Sequence, residues 1–94
     1  MPFAILTLHL QLPGCSSLKQ KRSFIKPVLS RLRREFNVAS TELDLHDKWQ
    51  ETLLGFITLS NDAAQCQREL QNVLEFTARS FPDLVILDHR IEFL

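Results

Sequence analysis

An α+β sandwich is predicted for this chain by three observations: four extended runs with alternating apolar and polar residues, two helical runs each opened by a capping signature, and their order, βαββαβ. Residues 3–12 supply the first run. Ala4, Leu6, Leu8, Leu10 and Leu12 fall on one face, with Phe3, Ile5, Thr7, His9 and Gln11 on the other, so one face of a strand is expected to be buried. Pro13-Gly14-Cys15-Ser16 breaks the run. Ser17, with Gln20 three residues on, has the form of a capping box, in which two side chains satisfy N–H groups that a helix start leaves free.

The first helix follows from there. Leu18, Phe24, Ile25, Val28, Leu29, Leu32 and Phe36 recur at helical spacing and form its expected buried stripe, while Lys19, Lys26 and Arg33 project from the opposite side. Pro27 removes a hydrogen bond to the Ser23 carbonyl and should kink the segment. Asn37 is the expected left-handed cap at its end. Residues 38–46 alternate again, Ala39, Thr41, Leu43 and Leu45 against Ser40, Glu42, Asp44 and His46. After a polar turn at 47–50, residues 51–60 form a third strand, so the pair reads as an antiparallel hairpin.

Asp62 with Gln65 offers a second capping box, and Ala63, Cys66, Leu70, Val73, Leu74, Thr77 and Phe81 line one face of a second helix. Pro82-Asp83 ends it, and residues 84–93 make the last strand. That order is the signature of the ferredoxin-like βαββαβ sandwich: a four-stranded antiparallel sheet with two helices on one face, here one domain over residues 1–94. The sheet's other face then has no helix to cover it. His9, Gln11, Glu42, Asp44, His46, Asp88 and Arg90 are expected on it, with either Leu53 and Ile57 or Leu54 and Phe56. A partly apolar bare sheet invites self-association, through the face or through an edge, so a homodimer is expected.

Length and composition narrow the classes further. A chain of 94 residues can bury one core but not two, and 45% hydrophobic with 23% charged residues is ordinary for a soluble globular protein. The apolar amino terminus lacks a basic region and a small-residue cleavage site, so it reads as a strand rather than a signal. No apolar stretch approaches the ~18 residues that span a bilayer, and no membrane partner is expected. Cys15 and Cys66 are isolated and outside any CxxC pair, which makes a reducing cytoplasm the expected location.

The net charge of zero conceals an asymmetry. Lys19, Lys21, Arg22, Lys26, Arg31, Arg33 and Arg34 give residues 1–34 a charge of +7, whereas residues 35–94 carry four bases against eleven acids. On a helical wheel Lys19, Arg22, Lys26, Arg33 and Arg34 fall on the solvent side and Arg31 at its margin. Lys21 lies near the apolar stripe, where its stem should pack and its ammonium pair with an acid. The bland reading of such a helix is a solvated face balancing an acidic remainder. The functional reading is a phosphate-backbone footprint for RNA or a ribonucleoprotein, read by shape because no base-reading motif is present. An RRM-type surface is excluded, since the third strand offers only Phe56 for stacking and the chain has no tyrosine.

Other candidates carry less. The turn at 13–17 leads into a helix amino terminus, where acylphosphatases of the same fold bind phosphate, but it holds one glycine and no arginine. A small anion-binding enzyme of that type is the third reading. His9, His46 and His89 lie on different strands without ligand spacing, so no metal site is expected, and no catalytic constellation or cofactor motif is recognised. Trp49, the single tryptophan, falls at the hairpin tip. There it either anchors a partner or folds back over the sheet's end beside Gly55.

Taken together, Ser17-Leu18-Lys19-Gln20-Lys21-Arg22, Phe36-Asn37-Val38 with Glu42 following, Asp47-Lys48-Trp49-Gln50 with Gly55, and Ser60-Asn61-Asp62 resemble the signatures of the bacterial YlxP-like family of unknown function. The resemblance covers nearly the whole chain and implies a ferredoxin-like fold. Members are often encoded near transcription and translation factors, which favours an RNA-linked role; the family supplies no catalytic residues. The sequence is therefore expected to encode a non-catalytic binding protein that contacts RNA through its first helix. The alternative is a protein-interaction or oligomerisation module using the open sheet and Trp49.

Overall fold

Alternation decides where the core lies. A computed structural model describes residues 2–94. In strand β1 (Phe3–Gln11) Ala4, Leu6, Leu8 and Leu10 are at most 1% exposed, while every odd-numbered residue is half-buried. β1 is central, antiparallel to β3 (Glu51–Leu59) on one side and β4 (Val85–Phe93) on the other; β2 (Ala39–Asp44) pairs with β3, giving the order β2-β3-β1-β4. Helices α1 (Leu18–Glu35) and α2 (Ala63–Ser80) contribute Ile25, Val28, Leu32, Cys66, Leu70 and Val73 to the core formed with the inner face of the sheet. This is the ferredoxin-like arrangement, and burying each of these aliphatic side chains is worth roughly 1.5–3 kcal/mol.

The helix starts are capped as their residue types require. Ser17 Oγ accepts the Gln20 N–H at 3.0 Å, and Gln20 Oε1 reaches back to the Ser16 N–H at 2.8 Å. Asp62 Oδ1 accepts the Ala64 N–H at 2.9 Å, but Gln65 turns forward to Arg68 instead of back, so the second helix has a cap without a reciprocal box. α1 continues through Pro27 to Glu35.

Between the two sets of β3 residues, Leu54 and Phe56 point inward and are fully buried, so Leu53 and Ile57 face the bare side. Other expectations are corrected. Asn37 is not left-handed: α1 ends at Phe36 with φ −132°, and the Asn37 N–H is taken by Glu69 Oε2 of α2 at 2.9 Å, which serves where a left-handed turn would otherwise be needed. Among the described residues the left-handed non-glycine is Leu45, at φ 66°. Phe24 sits on the flank of the α1 stripe rather than in it and is 48% exposed.

β2 is shorter than alternation suggested and turns its polar set inward. Ser40 Oγ donates to the Leu29 carbonyl at 3.3 Å, and Glu42 meets Lys21, so Glu42 does not decorate the open face. Leu43 is an extra residue in a bulge between Glu42 and Asp44. Its side chain occupies the space over Gly55, where a β-carbon would fall 2.6 Å from Leu43 Cδ1. That is one of the two places considered above for Trp49, which is instead 51% exposed in the loop between β2 and β3.

Candidate nucleic-acid interface

A helix of eighteen residues with one buried stripe presents the rest of its circumference to solvent, and in α1 most of that circumference is basic. Lys19, Arg22, Lys26 and Arg33 follow the spacing i, i+3, i+7, i+14, which aligns them along one ridge about 21 Å long at 1.5 Å per residue. Arg34 stands next to the ridge. All five are exposed, and none makes an ion pair among the described residues. Arg33 is steered by the fold: its Nη1 donates to Ser40 Oγ at 3.1 Å, so the ridge lies along the β2 side of the sandwich.

Two cations of the segment are withdrawn from it. Lys21 is 2% exposed; its ammonium donates to the Leu45 carbonyl at 2.6 Å and lies 2.9 Å from Glu42 Oε2. Thr52 Oγ1 donates to the same carboxylate oxygen at 2.6 Å. Burial pushes the Glu42 carboxyl up, but the hydrogen bonds from Thr52 and Lys21 and the charges of Lys21 and His46 outweigh it and hold Glu42 below its ordinary value. Arg31 lies 3.8 Å from Glu35 and over the Phe76 ring of α2, 5.2 Å from its centroid. The wheel anticipated the burial and pairing of Lys21; for Arg31 it gave only a place at the margin of the solvent side.

Phe24 was missed as a surface residue. It borders a hollow on the far flank of α1, with Leu12, Pro13, Leu84 and Val85. Its place beside Ile25, at the margin of the apolar stripe rather than its centre, was the available signal.

The turn into α1 is already occupied. Gly14 takes φ 79°. Ser17 Oγ and Gln20 Oε1 hold two of the N–H groups that an anion would need, and the Cys15 side chain is buried. The histidines do not converge: His9 Nε2 lies 2.8 Å from Glu51 Oε1 on the open face, His46 lies 4.0 Å from Glu42, and His89 is on the helix side of β4. Among the described residues no group of three or more His, Cys, Asp or Glu side chains is placed to hold a metal ion. Among the described residues no helix is long and apolar enough to cross a membrane.

The de novo designed protein Foldit4 shares this architecture with a TM-score of 0.55 at 11% identity, covering 100% of this chain and 97% of that one, a likeness of fold alone. The uncharacterized protein YlxP of Bacillus subtilis (strain 168) is 41% identical over 68 residues, 72% of this chain and 73% of that protein. Residues 3–91 match the family described as "Protein of unknown function (DUF503)", and with nearly the entire fold inside that match the chain belongs to this family.

Proposed function

We propose that this protein is a non-catalytic binding protein that holds RNA, free or within a ribonucleoprotein, by its phosphate backbone along the outer ridge of α1. One observation carries the reading: Lys19, Arg22, Lys26, Arg33 and Arg34 are exposed together on one helix without carboxylate partners among the described residues, although acids outnumber bases in the remainder of the chain. Arginine at three of these positions suits bidentate phosphate contact. The third strand supplies no base-stacking aromatic, because Phe56 is fully buried, which favours recognition of backbone and shape.

Fluorescence anisotropy with a labelled RNA duplex tests this. Arg22→Glu with Lys26→Glu and Arg33→Glu should weaken binding by at least a hundredfold while leaving the far-ultraviolet circular dichroism unchanged. Equal binding by wild type and the triple variant sinks the proposal. A second reading, a protein-interaction module, is favoured by the apolar open face, where Leu43, Ile57 and Leu59 are 42%, 38% and 53% exposed, and by Trp49 beyond it. In that case a charge-reversed helix leaves partner capture intact.

A further inference from the structure

The sheet has two free edges, and they are built differently. β2 is blunted in the ways natural edge strands are: it has six residues, an inward-pointing charge in Glu42, a bulge at Leu43, and a carbonyl at Ser40 that faces Arg33 Nη1 at 3.5 Å. β4 has nine residues, no lysine and no proline, and its irregularity is confined to Leu87, the extra residue between Ile86 and Asp88. Val85, Leu87, Phe93 and Leu94 are 42–64% exposed. Beyond the bulge the strand is regular.

Its free main-chain groups can be assigned. Leu94 N–H donates inward to the Phe3 carbonyl at 3.2 Å, so by alternation Glu92 and Arg90 also turn toward β1, and His89, Ile91 and Phe93 turn their N–H and C=O groups outward. The His89 N–H is already taken by Asp88 Oδ1 at 2.9 Å, so at that position the carbonyl is the group left for a second strand. On the open face the same stretch carries Asp88, Arg90 and Glu92, alternating in sign.

We infer that β4 is a homodimerisation edge, at which a second copy of this chain pairs antiparallel about Ile91 to make one continuous eight-stranded sheet. Charge selects the register. Pairing about His89 or Ile91 sets Arg90 opposite a carboxylate of the other copy, pairing about Phe93 leaves it without one, and pairing about Arg90 or Asp88 sets like charges face to face. Of the outward centres, His89 would draw the Leu87 bulge into the ladder, and Ile91 leaves it outside. In that register Ile91 pairs with Ile91 of the second copy, and Phe93 N–H meets the carbonyl of its His89. Arg90 and Glu92, which lie 2.9 Å apart within one strand, would exchange partners with those of the second copy in a non-hydrogen-bonded pair, the type that brings side chains closer. The two-fold axis is normal to the sheet, so all four helices lie on one side.

Sedimentation equilibrium of the full chain at micromolar concentration should return twice the 10.9 kDa chain mass. Arg90→Glu should return the single mass with its circular dichroism retained, and Arg90→Glu combined with Glu92→Arg should restore the doubled mass. As a variant independent of charge, Ile91→Cys should crosslink under mild oxidation, since its α-carbons would sit about 5.5 Å apart, within disulfide reach, and the native Cys15 and Cys66 are buried. Ile57→Cys on the open face should not. A wild-type chain that sediments only at the single mass overturns the inference, as does a dimer that survives Arg90→Glu or crosslinks through Ile57→Cys instead of Ile91→Cys.

Discussion

The Lys21 ammonium lies 2.9 Å from the Glu42 carboxylate inside the sandwich, joining α1 to the edge strand β2 across a gap that apolar side chains do not fill. The pair anchors the hairpin too, because the same ammonium donates to the carbonyl of Leu45, the residue at φ 66° where the chain turns. It also divides the basic helix into one structural cation and an outer ridge.

Breaking that pair from one side should be costly. Lys21→Met leaves Glu42 with Thr52 as its nearest partner, and a loss of about 2–4 kcal/mol is expected, less than for a sealed pair because Glu42 is 19% exposed and water replaces part of the interaction. Lys21→Met with Glu42→Gln should cost less than Lys21→Met alone. Urea denaturation of the three proteins measures the difference.

Acid should act on the same residue. The folded-state value of Glu42 is depressed from its ordinary 4.5, so the stabilisation is fully present above that pH and is lost as pH falls through the lower folded value. Wild-type stability should therefore drop below pH 4.5 more steeply than that of Glu42→Gln. Parallel denaturation curves for the two proteins in that window would contradict the assignment.

Gly55 and Leu43 should be coupled. Gly55→Ala places a methyl group against the Leu43 side chain, forcing it off the sheet at an expected cost of about 1–2 kcal/mol. In a Leu43→Ala background that cost should largely vanish. A double-mutant cycle reads the interaction energy directly.

Trp49→Ala should leave thermal stability within about 0.5 kcal/mol of wild type, because the indole is half exposed and Leu43, not Trp49, covers Gly55. Differential scanning calorimetry checks this.

RNA affinity should fall with salt. Five phosphate contacts correspond to a slope of about −4 in log K against log salt, and removing Arg22 should reduce its magnitude by about 1. A flat titration would falsify backbone binding by this ridge.

Periodicity by itself determined the elements, their order, the buried face of β1 and the place of Lys21 near the apolar stripe of α1, since each depends on residues within a few turns or pleats of one another. It left open which set of β3 residues faces the helices, because both sets are apolar there and one step of register exchanges them. Only the tertiary structure decided that, together with the inward face of β2 and the contrast between the sheet's two edges. An edge strand is half covered and carries a weak alternation of its own, so its orientation follows distant groups, here a buried lysine whose charge the inward-turned Glu42 balances.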